Sequence, residues 1–295
     1  MANCMLIAVG ATCKRAAAAA ALPLVTISQK YLICLKFIKT DLTLKIRCLM
    51  LIFLALIMRS RHLKTRRRTL NAMNELAAIL PAAANLSTAE ISDALDALRL
   101  PGSALGIGHI AGVTRIFGPA YTVRYGPVDQ AAPGTVGDYL DDTPAGAVVV
   151  LDNAGRTDCT VWGGILSRIG AHRGIAGTVI NGVCRDTFEA DTAGYPLYAI
   201  GRFMRTGKDR VQVEAVNAPV SLGDVRVAPG DIIAADQDGV VVVPAARAAE
   251  VFARALSLHE AEESIVQAAL SGASLAEARQ QARYHTLQRP ERADA

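Results

Sequence analysis

Past residue 72 the chain has almost no lysine. Residues 73–295 hold one, Lys208, beside 17 arginines, whereas the first 72 residues hold six lysines. A Schiff-base enzyme needs a lysine amine, so in this body that chemistry has a single candidate. Cysteine is sparse as well: Cys4, Cys13, Cys34 and Cys48 precede residue 73, Cys159 and Cys184 follow it, and no CxxC or Cys/His cluster occurs. This pattern argues against a structural zinc site, and two lone cysteines in the body fit a reducing, cytoplasmic compartment. The apolar run Cys48–Met58 has eleven residues, too few for the ~20 needed to span a bilayer. There is no P-loop, nucleophile elbow or HExxH sequence. The stretch GIGHIAG (Gly106–Gly112) has the spacing GxGxxxG, follows no strand, and so lacks the context of a dinucleotide loop.

Acid is lacking at the front of the chain and in surplus behind. Residues 1–72 carry 13 Lys/Arg and one acid, Asp41; residues 73–295 carry 18 Lys/Arg and 26 Asp/Glu. An acidic body is a poor surface for tracking phosphates, so nucleic acid is not an expected partner. Residues 1–72 read as an extension outside the main fold. The favoured reading is an upstream region outside the native product, with Met73 a sensible start; a membrane-surface anchor and a targeting segment stay open. The basic stretch RSRHLKTRRR follows the apolar run, and no small-residue cleavage site does. The main domain is expected over residues 73–288, followed by a tail at 289–295, and the body itself has no expected membrane contact.

The body alternates helix and strand signals. Ser87-Thr88-Ala89-Glu90 is a capping box and predicts a helix from Thr88 to Pro101-Gly102. GPAYTVRYG (Gly118–Gly126) alternates like a strand, and Gly126–Gly146 is rich in Pro, Gly and Asp, like a loop. AVVVLD (Ala147–Asp152) predicts a strand buried on both faces, and NAGRTDC after it a polar turn. Val161, Ile165 and Ile169 have helical spacing, IAGTVIN is the next strand, RDTFEADTAG the next helix start and PLYAIG another strand. Several short strands follow, with DQDG (Asp236–Gly239) as a turn, then a long helix from Pro244 to about Leu270 and a shorter one from Ser274. The order βαβα followed by a β-rich half predicts a mixed α/β layer fold around one core. The five histidines are scattered and read as surface or capping residues.

The chemistry concentrates in GTVINGVCRDTFEA (Gly177–Ala190), where a buried run ends and Arg185, Asp186 and Glu189 follow. A helix beginning near Arg185 would put Glu189 on one face with both. Spacing alone leaves two readings. One is an exposed ion pair, contributing about 0–1 kcal/mol. The other is a site at strand ends, where α/β clefts form, with Arg185 suited to a carboxylate and Asp186 to a hydrated Mg²⁺. Upstream, VWGGIL (Val161–Leu166) has paired glycines at a helix start, where backbone N–H groups can approach an anion. Two consecutive βα loops would then hold a 2-oxo acid between them.

These residues, together with STAEISDAL, GPAYTVRYG, VVVLDNAG, GYPLYAIG and VRVAPGDIIAADQDGVVVVP, make the chain similar to the RraA-like family. That family includes the class II 4-hydroxy-4-methyl-2-oxoglutarate / 4-carboxy-4-hydroxy-2-oxoadipate aldolases, often misnamed dimethylmenaquinone methyltransferases. The resemblance covers roughly Leu76 to Gln288. It implies an α/β fold of the swivelling β/β/α type with C-terminal helices, assembled as a homotrimer or hexamer. The family's aldolases carry an acid, twenty residues, then Arg-Asp; here the acid position is Gly164, and the chain fits the variant Gly164-x20-Arg185-Asp186-x2-Glu189. By resemblance Arg185 binds the pyruvyl carboxylate, Asp186 the Mg²⁺ or Mn²⁺, and the backbone of Gly163, Gly164, Ile165 and Leu166 completes the carboxylate site. Glu189 is assigned the role of the acid missing at Gly164, through a water. The implied activity is retro-aldol cleavage or decarboxylation of 2-oxo acids such as oxaloacetate. Asp152, Asn153, Arg156 and Asp158 are expected to line the cleft, and Arg205, Lys208 and Arg210 to meet a second substrate anion. Glu262 or Glu263 is expected to reach in from a neighbouring subunit. The alternative is a non-catalytic regulator that binds ribonuclease E or another protein; such members tend to lack the Asp that stands here as Asp186.

Overall fold

The computed structural model describes residues 76–283, and the expectations for residues 1–72 and 289–295 lie outside them. After a helical stretch over 76–83, α1 (Thr88–Ala97) begins where the capping box predicts. The Ser87 hydroxyl accepts the Glu90 N–H at 3.2 Å, and the Glu90 carboxylate accepts the Ser87 N–H at 2.6 Å. Asp236 adds a second clamp, accepting the Thr88 N–H at 2.8 Å and its hydroxyl at 2.6 Å.

The strands are β1 (Gly108–Ala111), β2 (Ile116–Pro127), β3 (Val148–Thr160), β4 (Gly177–Cys184), β5 (Leu197–Arg202), β6 (Val211–Val216), β7 (Val220–Leu222), β8 (Val225–Val227), β9 (Ile232–Asp236) and β10 (Gly239–Val243). Helix α2 (Gly164–His172) links β3 to β4, and α3 (Thr187–Ala193) links β4 to β5. The chain then ends its described part with α4 (Ala248–Leu270) and α5 (Leu275–Gln281). One sheet runs β1-β5-β4-β3-β2-β9-β10, with β6 also on β2, and β7-β8 form a separate hairpin. The three central pairs, β2-β3, β3-β4 and β4-β5, are parallel. The long β2 serves two antiparallel partners, β9 along Ile116–Pro119 and β6 along Val123–Pro127. DQDG is the tight β9-β10 turn, with Asp236 opposite Gly239.

The interior forms three apolar clusters instead of one core, because the central strands are apolar on both faces. Along β3, Val149 and Leu151 join Trp162, Ile180 and Tyr195 on one side, while Val148 and Val150 join Val179, Tyr198 and Ile233 on the other. A third cluster packs α1 and α4 on β9 and β10 through Ile91, Leu95, Val251 and Phe252.

Two local expectations are corrected. NAGRTDC is not a turn that ends the strand: β3 continues to Thr160, with its register to β4 slipping between Asp152 and Arg156 and again between Arg156 and Thr160. Ala154 and Gly155 both take positive φ, 52° and 67°, so the chain bulges out and rejoins the ladder. In α2 the apolar stripe faces outward: Ile165 is 79% and Ile169 42% exposed, while Gly164, Ser167 and Gly170 are buried. The inward face must be small. A Cβ at Gly170 would lie 2.8 Å from the Tyr195 ring.

Gly112 tests how tightly this scaffold is closed. Its φ is +76° and an added Cβ would lie 1.9 Å from the Tyr195 carbonyl oxygen, whereas Gly106 has φ +80° and open space. Gly112→Ala is expected to lose about 3–5 kcal/mol from strain plus overpacking, and Gly106→Ala about 1–2 kcal/mol from backbone conformation alone. Equal losses in urea unfolding would contradict this packing.

His259 on α4 meets Glu90 of α1, Nδ1 to Oε1, at 2.6 Å. The hydrogen bond to Glu90 raises the His259 pKa above its ordinary value. The pair's stabilisation is therefore full below about pH 6.5, the unfolded histidine value, and is lost as pH rises through the raised folded value. Burial acts to raise the Glu90 pKa, but hydrogen bonds from Ser87 and His259 outweigh it and the net shift is downward. The carboxylate's contribution thus persists until pH falls through that lowered value. For an exposed pair the effect is at most about 1 kcal/mol. His259→Gln is expected to flatten the fall in unfolding free energy between pH 6 and 8; an unchanged slope would contradict the assignment.

Candidate active site

Strands β3 and β4 are parallel neighbours, so the loops at their C-terminal ends lie side by side. The first loop carries Val161–Gly163 into α2, and the second carries Arg185-Asp186 into α3. Two bonds stitch them together. The Arg185 N–H donates to the Trp162 carbonyl at 3.1 Å, and the Gly164 N–H donates to Asp186 Oδ2 at 3.0 Å. The guanidinium Nε of Arg185 lies 3.4 Å from the same carboxylate oxygen.

Asp186 is the backbone outlier of the site. It stands at the N-cap of α3 with φ 55° and ψ 41°, and its side chain makes no cap hydrogen bond. The helix starts at Thr187, two residues later than the sequence suggests, because Asp186 turns left-handed. A left-handed non-glycine residue costs about 1–2 kcal/mol, and here it turns the carboxylate away from its own helix toward Gly164. The ion pair with Arg185 does not repay that cost: the two side chains are 38% and 43% exposed, where such pairs contribute about 0–1 kcal/mol. The left-handed turn is matched instead by the bond that the carboxylate accepts from the Gly164 N–H.

The two glycines of VWGGIL are places where charged side chains need room. A Cβ on Gly163 would lie 2.7 Å from Asp186 Oδ2 and 3.2 Å from Arg185 Nε. A Cβ on Gly164 would lie 2.2 Å from Glu189 Oε2. The Glu189 carboxylate thus fills the space into which a side chain at 164 would project. Arg185, Asp186 and Glu189 converge over one Gly-Gly peptide. Because α2 begins at Gly164, the N–H groups of Gly164, Ile165 and Leu166 have no acceptor within the helix. Asp186 takes the first, and the other two remain to meet an anion.

The cleft in front has a volume of about 250 Å³ and is lined by Thr160, Trp162–Leu166, Arg185, Asp186, Thr206 and Lys208, with Val136 and Gly137 from the loop after β2. Of the three cations expected to face it, only Lys208 does. Arg205 lies over the Phe203 ring at 5.4 Å, and Arg210 donates to the Thr206 and Lys208 carbonyls. Asp152, Asn153, Arg156 and Asp158 do not line it. Asp152 accepts from Ala154, Asn181 and Ser221; Asn153 donates to the Cys159 carbonyl; Arg156 and Asp158 pair with each other at 2.8–2.9 Å. The bulged continuation of β3 keeps Asn153, Arg156 and Asp158 in its own local bonds, and Asp152 ties it to β4 and β7. Glu262 and Glu263 lie on α4, outside this cleft. Val136, Gly137 and Thr206 carry no local motif; only the register of the sheet brings them here. Burial pushes the Cys184 thiol up to about 12 and raises that of Cys159, so neither is a ready nucleophile.

Among the described residues no group of three or more His, Cys, Asp or Glu is placed to enclose a metal. The oxygens present suit a hydrated hard cation held by one or two carboxylates, which describes Mg²⁺ or Mn²⁺ better than zinc. Asp186 lines the cleft, whereas Glu189 stands behind Gly164 and is not among the lining residues.

The architecture is thus a mixed α/β domain with an Arg-Asp pair and paired glycines on adjacent βα loops. The model of the RraA-like family, described as Aldolase/RraA, matches residues 88–242, and the chain belongs to that family. Its fold is the α/β, swivelling β/β/α-type fold with C-terminal helices that the resemblance implies. The chain is 39% identical over 198 residues to Protein DlpA of Legionella pneumophila, covering 66% of this chain but only 32% of that protein. It is 33% identical over 161 residues to a Halalkalibacterium halodurans protein named "Putative 4-hydroxy-4-methyl-2-oxoglutarate aldolase", covering 54% of this chain and 73% of that one. Among solved structures, Streptomyces coelicolor RraAS2, described as an unusual member of the RNase ES inhibitor RraA protein family, superposes with TM-score 0.57 at 26% identity, covering 63% of this chain and 95% of that one. Among the described residues no helix is long and apolar enough to cross a membrane.

Gly164→Ala separates the site from the scaffold. The atoms nearest the new methyl all belong to the end of the Glu189 side chain, which can swing away, and alanine is favoured over glycine in a helix by about 1 kcal/mol. The variant is expected to unfold at the same temperature as the parent or slightly higher, with Glu189 displaced in its crystal structure. A fall in stability of several kcal/mol would contradict this geometry.

Proposed function

We propose that the protein is a divalent-metal-dependent lyase that cleaves or decarboxylates 2-oxo acids through the enolate of pyruvate, as a 4-hydroxy-4-methyl-2-oxoglutarate aldolase or oxaloacetate decarboxylase does. The observation that carries this is the convergence of Arg185, Asp186 and Glu189 on the Gly163–Gly164 peptide. The name of the Halalkalibacterium relative supports it.

Arg185 and the open amides of Ile165 and Leu166 bind the carboxylate of the substrate's pyruvyl half. Lys208, across the cleft, meets the second anionic group. Asp186, with Glu189 on the other side of the Gly163–Gly164 peptide, would hold Mg²⁺ or Mn²⁺, which when bound would supply Lewis-acid stabilisation to the developing enolate. Breaking the C–C bond moves its electron pair into the pyruvyl unit, where the positive guanidinium of Arg185 favours the developing charge. In the aldol substrate the departing carbon becomes a carbonyl as its hydroxyl proton leaves. Glu189 accepts that proton through a water. With oxaloacetate the same electron pair is released by loss of CO₂. Protonation of the enolate carbon then yields pyruvate. The same reading places the enzyme in a homotrimer or hexamer in the cytoplasm.

A second reading, a non-catalytic regulator of ribonuclease E type, draws on the likeness to RraAS2. It gives the strained Asp186 and its Gly164 bond no task.

Pyruvate release from oxaloacetate and from 4-hydroxy-4-methyl-2-oxoglutarate tests the proposal. EDTA is expected to abolish turnover, and Mg²⁺ or Mn²⁺ to restore it. Asp186→Asn is expected to lose ~10²–10³-fold in kcat, Glu189→Gln ~10²-fold or more, and Arg185→Lys to raise KM roughly 10–100-fold by losing the bidentate contact. Full activity in EDTA or in Asp186→Asn would overturn it.

A further inference from the structure

Paired glycines solve one problem at this site and create another. They give the carboxylates of Asp186 and Glu189 room, yet glycine has the most conformational freedom of any residue. Two in a row cannot by themselves hold an N–H aimed at a carboxylate. Something outside the loop has to fix the Gly163–Gly164 peptide.

Behind it lies a buried polar chain that the chemistry above does not use. Ser167 is fully buried, and its hydroxyl donates to the Gly163 carbonyl at 3.3 Å. The same hydroxyl oxygen accepts the indole N–H of Trp162 at 2.9 Å. Trp162 is 1% exposed and its ring stacks on Tyr195, with centroids 5.6 Å apart and planes 10° apart. The Tyr195 hydroxyl is in turn hydrogen-bonded to Thr178 Oγ1 at 2.8 Å. At the backbone, the Trp162 carbonyl accepts from both the Arg185 N–H at 3.1 Å and the Thr160 hydroxyl at 2.8 Å.

We propose that Trp162 and Ser167 are positioning residues of the Arg185–Asp186 site. A peptide unit is planar, so a bond that fixes the Gly163 carbonyl also fixes the direction of the Gly164 N–H, the donor to Asp186. The Ser167 main-chain N–H supplies one such bond at 3.1 Å as α2 begins, and its hydroxyl adds a second at 3.3 Å; the indole sets the orientation of that hydroxyl by using its oxygen as acceptor. Trp162 therefore governs the site twice: its carbonyl holds the main chain of Arg185, and its side chain, through Ser167, holds the peptide facing Asp186. A substitution in this chain disturbs the metal-binding carboxylate and the anion-binding amides without touching either ligand.

The kinetic part of the test rests on the lyase reading; the structural part does not. Ser167→Ala and Trp162→Phe each remove the indole–hydroxyl bond; Ser167→Ala also removes the hydroxyl's bond to the Gly163 carbonyl, and Trp162→Phe leaves a cavity whose cost appears in global stability. Thr178→Val is the control: it removes a hydrogen bond from the same buried stack, on the far side of Tyr195. Amide hydrogen exchange over residues 161–166, read by mass spectrometry, is expected to quicken about tenfold or more in Ser167→Ala and Trp162→Phe beyond any change in global stability, and to stay at the parent rate in Thr178→Val. Mn²⁺ affinity and kcat/KM for oxaloacetate are expected to fall together by roughly 10–100-fold in the first two. The double variant should be no worse than the worse single, since the two share the indole–hydroxyl bond. Equal losses in Thr178→Val at matched melting temperature, additive losses in the double, or unchanged exchange at 161–166 would overturn the proposal. A parent protein that turns over no 2-oxo acid would sink the lyase reading alone, and the exchange rates would still decide the positioning role. If Ser167→Ala does not fold, Trp162→Phe carries the same comparison.

Discussion

The bond from the Gly164 amide to the Asp186 carboxylate joins two consecutive βα crossovers, and the site has its form because of it. For that bond to exist, residue 163 must lack a side chain, because a Cβ there would sit 2.7 Å from the accepting oxygen. Asp186 must also leave the helical region at the start of α3 and turn left-handed. Both conditions work against stability. What they gain is a carboxylate held beside a guanidinium and a row of open amides, next to the end of a strand, β4, that is buried throughout.

Strain and support are spatially separated here. The loops carry the glycines and the left-handed aspartate, while the stiffness comes from the aromatic stack of Trp162 on Tyr195 and from the small inward face of α2, which lets that stack approach. Because Gly170 and Ser167 face inward, the apolar Ile165 and Ile169 face outward, Ile165 at the cleft itself. The exposure of those two side chains is thus a consequence of how the site is braced from behind.

Much of this was legible in the sequence, for identifiable reasons. The capping box at Ser87–Glu90 satisfies its own local bonds, so it forms as written. The run AVVVLD reads as a doubly buried strand because alternate residues enter two different clusters. Arg185, Asp186 and the Gly-Gly pair stood out because each is a local oddity at a strand end. What was not legible depended on distant groups. Periodicity shows that α2 has an apolar stripe, but only the Tyr195 ring, 25 residues beyond Gly170 in the chain, decides that the opposite face is buried. NAGRTDC reads as a turn because Ala154-Gly155 is one locally, and only pairing with β4 shows that the strand resumes. Glu189 and Gly164 are 25 residues apart; the family pattern suggested that one replaces the acid missing at the other, but nothing local reveals that the Glu189 carboxylate fills the space over Gly164.

The central claim is that Arg185, Asp186 and Glu189 form one metal-and-carboxylate site. The most direct measurement is anomalous diffraction from crystals soaked with Mn²⁺ and oxalate, a planar analogue of the pyruvate enolate. The account predicts a manganese peak at coordination distance, about 2.1 Å for a hard cation of this size, from an Asp186 oxygen, with an oxalate carboxylate on Arg185 and the Ile165 and Leu166 amides. Manganese bound elsewhere, or no peak at Asp186 under saturating Mn²⁺, would contradict it.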